Sequence, residues 1–171
     1  MEDFMHLLYF IFGTIFSLIS VYHIFSHRKR VRANDEILYT LKDPGKLSSR
    51  SVYYALTIPF SYIILFLVIF MYLAIFTSFY TATLLFFIIC SFGIYVLLTI
   101  DRTFELRTNS LLFAGYHAPW SRIRCLTWGK RGKKRTKLIM ELDKGTKIKT
   151  SIANEETEDL EKILSDYTKI K

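Results

Sequence analysis

A chain of 171 residues with a formal charge of +8, 51% apolar residues and a positive mean hydropathy is richer in hydrocarbon than soluble domains of its size. That composition excludes a disordered polar chain, and two cysteines exclude a disulfide scaffold, which leaves the bilayer as the first environment to test.

From Phe4 to Phe25 there is no Asp, Glu, Lys or Arg, long enough to cross ~30 Å of hydrocarbon. The start is acidic (Glu2, Asp3), the basic cluster follows the apolar run and no small-x-small cleavage site appears, so the segment reads as an uncleaved anchor rather than a secretory signal. Gly13, Ser17 and Ser20 form a small-residue stripe suited to close helix packing, within the chain or in a homodimer. His6 and His23 lie near opposite ends of the span, where imidazoles reach headgroups; the sequence shows neither a partner at depth.

Residues 26–51 read as a cytoplasmic loop. Arg28, Lys29, Arg30 and Arg32 form a topology-fixing cluster, Ile37, Leu38 and Leu41 a short amphipathic patch, Asp43-Pro44-Gly45 a turn, and Ser48 or Ser49 a cap for the next helix. Ser51 to Ile100 is again uncharged and, at about fifty residues, too long for one crossing. Its most polar stretch, Thr77–Thr81, divides it into helices over about 52–76, with Pro59 inside the first as a bend, and about 80–100.

All 23 Lys and Arg fall into two groups, seven between Arg28 and Arg50 and sixteen from Arg102 onward. The positive-inside rule places both groups in the cytoplasm, and three crossings then put the N-terminus and the Thr77–Thr81 turn outside. The expected molecule is a multi-pass cell-membrane protein, with a membrane domain over 1–100 and a cytoplasmic domain over 101–171.

Beyond Ile100 the pattern changes to strand-like alternation: 104–108, 111–116, 122–128, 136–142 and 146–152 read as five antiparallel strands, with His117-Ala118-Pro119 as a break and Asp143-Lys144-Gly145 as a hairpin turn. In the third, Ile123 and Cys125 point away from Leu126 and Trp128, which requires either two covered faces or a bulge. Asn154 is placed as the N-cap of a final helix whose acidic first turn suits the dipole and whose Leu160, Ile163, Leu164 and Tyr167 form a buried stripe. The expected fold class is therefore three transmembrane helices plus a small α+β domain, a five-stranded sheet with a C-terminal helix. Trp120, Ile123, Trp128, Leu160 and Leu164 are its predicted core, although the two tryptophans also suit the headgroup level.

The run Pro119-Trp120-Ser121-Arg122-Ile123, followed by Trp128, two strands and an amphipathic helix, resembles small bacterial membrane proteins with a pleckstrin-homology-like domain of unknown function, over roughly Phe104 to Tyr167. The resemblance implies a membrane-tethered β-module rather than a catalyst, and in some related proteins an association with bacteriocin immunity. It carries over no binding residue.

Chemistry is sparse. Gly129–Lys134 lacks the spacing of a phosphate loop and precedes a strand, and four scattered histidines with no HExxH, CxxC or G-x-S-x-G provide no metal site or nucleophile, so no enzyme, cofactor or metal is expected. Cys90 and Cys125 are expected to be free thiols. The segment carrying Lys130, Arg131, Lys133, Lys134, Arg135 and Lys137 reads either as a solvated hairpin or as an attractor of anionic lipid, while nucleic acid is not expected because no reading motif interleaves aromatics with the cations. The expected function is that of a regulator or accessory subunit whose cytoplasmic domain engages the inner leaflet or a membrane-protein partner, with toxin or bacteriocin immunity as the alternative.

Overall fold

The computed structural model describes residues 2–32 and 35–170. The chain divides into two compact units: one of residues 1–33 and 52–99, the other of residues 34–51 and 100–171.

The first unit holds three helices, α1 (Glu2–Arg32), α2 (Val52–Ile75) and α3 (Phe79–Asp101), each long and apolar enough to cross a membrane. α1 outlasts the predicted 4–25 because nothing after Phe25 breaks it, and Lys29, Arg30 and Arg32 in its last turn complement the negative end of the dipole. α2 and α3 are separated only by residues 76–78, where the Thr77 and Ser78 amides donate to the Ala74 carbonyl and Ser78 Oγ accepts from the Thr81 amide. The small residues admit close approach. A Cβ on Gly13 would lie 2.7 Å from Met71 of α2, and one on Gly93 would lie 2.3 Å from the Phe16 ring of α1. Stacked pairs Phe10–Tyr72 and Phe60–Phe92, with centroids 4.6 and 4.7 Å apart, complete the packing.

In the second unit the five-stranded expectation fails. Seven strands form two antiparallel sheets, ordered β1-β2-β3-β4 and β5-β6-β7: β1 Ile37–Thr40, β2 Phe104–Arg107, β3 Ser110–Phe113, β4 Tyr116–Pro119, β5 Ile123–Arg131, β6 Arg135–Leu142 and β7 Lys147–Ala153, followed by α4 (Thr157–Ser165). Two strands were unforeseen. β1 comes from the loop assigned to the membrane domain and pairs with β2, Thr40 opposite Glu105. β4 contains the predicted break, because Pro119 closes an edge strand where no ladder donor is needed. The two-residue turn Ala114-Gly115, with φ of 47° and 79°, joins β3 to β4.

The register of β5 shifts between Ile123 and Cys125, so the broken alternation is a bulge, and Ile123 and Leu126 both reach the core. That core draws Phe104, Leu106, Leu111 and Phe113 from one sheet, Leu126, Leu138, Met140 and Ile152 from the other, and Leu160 and Leu164 from α4. Trp120 and Trp128 pack half-buried against it.

Candidate functional site

The basic hairpin is the β5–β6 connection. β5 ends at Arg131, β6 begins at Arg135, and the Gly132 amide donates to the Arg135 carbonyl at 2.8 Å. One residue holds the tip from behind: Asn154 Nδ2 donates to the Gly132 and Lys133 carbonyls at 3.1 and 3.3 Å, its amide donates to the Lys134 carbonyl at 3.1 Å, and its Oδ1 accepts from Thr136 at 2.7 Å. Asn154 is thus not the N-cap of α4, a position taken by Glu156 after a 3-10 turn over Asn154–Glu156. The backbone of the tip is fixed while its cations project into solvent.

Lys130, Arg131, Lys133, Lys134 and Lys137 are exposed and make no ion pair among the described residues. Arg135 leaves the set that the sequence suggested. Its guanidinium pairs with Asp43 and donates to the Ser151 carbonyl at 3.2 Å. Asp43 itself accepts from the Gly45 amide at 2.8 Å, closing the expected turn, and from the Ala153 amide at 3.2 Å.

A second network welds the 35–51 segment to β2. Glu105 is fully buried: Oε1 accepts from Ser48 Oγ at 2.7 Å and from the Ser49 amide at 2.5 Å, and Oε2 accepts from Ser49 Oγ at 3.0 Å and Arg107 Nη2 at 2.8 Å. Burial pushes the Glu105 carboxyl up, but the hydrogen bonds from Ser48, Arg107 and Ser49 outweigh it and hold the group below its ordinary 4.5. Ser48 and Ser49 serve this carboxylate rather than capping α2 as expected. Asp35 adds a third tie, accepting from the Asn109 amide at 2.9 Å and from Ser110 Oγ at 2.5 Å. The alternation Phe104-Glu105-Leu106-Arg107 implied a wet face for Glu105 and Arg107; the segment from Asp35 to Ser49 covers it.

In the helical unit, Arg28 donates to the Tyr62 hydroxyl at 2.8 Å, and Arg30 is buried, its guanidinium 5.2 Å from the Tyr54 ring centroid and bonded to that residue's hydroxyl. Lys29 and Arg32 are exposed. His23 has the partner the sequence did not show, Thr57 Oγ1 at 2.8 Å; because the Thr57 hydroxyl donates to the Tyr54 carbonyl, His23 Nε2 is the donor. Trp120 stacks on Tyr167 at 4.9 Å and donates to the Arg107 carbonyl at 3.1 Å, whereas the Trp128 indole N–H meets no acceptor among the described residues. Both cysteines are free, and among the described residues no three His, Cys, Asp or Glu are grouped to hold a metal.

Comparison with protein-family models, curated proteins and solved structures gave no match.

Proposed function

We propose that this is a non-enzymatic integral membrane protein, a regulator or accessory subunit, whose pleckstrin-homology-like cytoplasmic unit engages the inner leaflet through its basic hairpin. The carrying observation is a tip whose backbone is fixed by Asn154, while Lys130, Arg131, Lys133, Lys134 and the adjoining Lys137 stand exposed without acidic partners among the described residues. Each such cation beside an anionic leaflet contributes ~1 kcal/mol of attraction.

Topology follows the same reading. β1 precedes α2 and its partner β2 follows α3, which supports a reading in which both cation-rich regions share one side of the membrane and the α2–α3 pair crosses it twice. The positive-inside rule makes that side cytoplasmic and places the N-terminal end outside. Only Arg102 and Thr103 separate α3 from β2, a tether of at most ~3.6 Å per residue.

The test uses the full chain, with Cys90 and Cys125 replaced and a fluorophore on Lys133→Cys, in nanodiscs carrying a lipid-borne quencher. Quenching is expected in anionic nanodiscs, to fade with salt and to disappear with Lys130→Gln, Arg131→Gln and Lys134→Gln together. Equal quenching in neutral nanodiscs, or none in either, overturns the leaflet reading.

A further inference from the structure

A cavity of about 220 Å³ opens in the β unit, lined by Lys46, Asp101, Lys137, Lys149, Thr150 and Ser151. Three lysines and one aspartate thus line it. Lys46, from the segment between β1 and α2, is only 9% exposed, donates to the Thr150 hydroxyl and makes no ion pair among the described residues. The nearby Asp43 is engaged by Arg135. Burial pushes the Lys46 ammonium below the ordinary lysine value, against the pull of Asp101. Lys137 on β6 lies opposite Ser151 and Lys149 opposite Ile139, so the two exposed lysines are diagonal neighbours on one face.

Arg135 and Arg102 repel the Lys46 ammonium, and its burial against a hydroxyl acceptor carries a desolvation cost that Asp101 and Asp43 only partly offset. An oxyanion removes both penalties, since lysine ammoniums and the Thr150 and Ser151 hydroxyls are donors of the kind that bind phosphate oxygens. We propose that this cavity binds a phosphate group, presented by a soluble phosphate or by the headgroup of an anionic lipid, with Lys46 at its base and Lys137 and Lys149 at its mouth. Asp101 disfavours a second anion alongside the first. Lys137 belongs to the hairpin set as well, whereas Lys46 and Lys149 lie outside it, so variants at those two residues separate the cavity from the hairpin.

The experiment uses the full chain in mild detergent. Inorganic phosphate is titrated calorimetrically, and retention of phosphatidic acid against phosphatidylcholine is read by native mass spectrometry. A soluble source predicts phosphate binding that weakens several-fold in Lys149→Gln, and a headgroup source predicts phosphatidic acid retention reduced in the same variant without a response to inorganic phosphate. Lys149 is exposed, so the variant keeps its protease resistance; Lys46→Met, tested beside it, loses binding at the cavity. Lys162→Gln, an exposed lysine of α4, binds as the parent does. Binding of neither probe, binding undiminished in Lys149→Gln, or equal loss in Lys162→Gln overturns the proposal.

Discussion

Among the polar side chains buried in the helical unit, Thr57 and Ser61 bond to their own helix, at the Tyr54 and Thr57 carbonyls, while Phe66, Phe76 and Phe87 lie on its outside. In the β unit the apolar side chains turn inward and the buried polar groups include the ion pair Glu105–Arg107 and Asp43, whose partner Arg135 is 92 residues away. The difference follows from the solvent. A helix in lipid satisfies its backbone by itself and gains nothing from hiding apolar side chains, whereas a small domain in water is held by its core and must give the polar groups it buries hydrogen-bond partners. The helical unit is therefore sensitive to steric fit, and the β unit to the completeness of its chain.

The largest effect is expected when that chain is cut short. A soluble fragment of residues 102–171 lacks β1, the Ser48 and Ser49 partners of Glu105 and the Asp43 partner of Arg135, and should show no cooperative thermal transition by circular dichroism. Joining residues 35–51 to 100–171 through a short glycine-serine linker should restore it. A cooperative transition in the short fragment would show that the 35–51 segment is dispensable.

Next in size is Glu105→Gln, which leaves Arg107 buried without its countercharge and should destabilise the β unit by roughly 3–5 kcal/mol in denaturant titrations of the joined fragment. The folded-state value of Glu105 is depressed, so its stabilisation is complete above the ordinary 4.5, fades as pH falls below that value, and is gone once pH passes the folded value. The Gln variant should lose this part of the acid sensitivity, and an unchanged acid profile would count against the network.

The smallest effect belongs to the helical unit. Gly93→Ala places a methyl group against the Phe16 ring and should destabilise the three-helix packing by roughly 1–3 kcal/mol, read as a lowered melting temperature in detergent. An unchanged melting temperature would mean that the α1–α3 contact yields freely.

The helices were legible because an apolar run with charged ends is a local signal; only the extent of α1 past Phe25 escaped, since arginine and lysine continue a helix without marking where it stops. Most of the β unit was legible for a similar reason, its hairpins being short and its strands alternating. β1 was not. Ile37-Leu38-Tyr39-Thr40 is too short for period two to show, and its partner lies beyond two membrane helices. Missing it concealed the burial of Glu105 and Arg107, which read as solvent-facing until their cover is known. In the hairpin the exposed cations were legible one by one, but the engagement of Arg135 by Asp43 depends on a contact 92 residues apart in sequence.

The pairing of β1 with β2 also sets a timetable for biosynthesis. The ribosome completes β1, then about sixty further residues comprising α2 and α3, before β2 exists; at ~5–20 residues per second that interval is on the order of 3–12 s. Throughout it β1 is a strand without a sheet, and its brevity, with Lys42 close behind, limits what it can template. On the proposed topology β1 and β2 meet only when the α2–α3 hairpin has entered the bilayer and returned, so a nascent chain in which it crosses once leaves Glu105 without Ser48 and Ser49 and Asp43 without Arg135. Closure of the β unit is, on that topology, a readout of correct insertion.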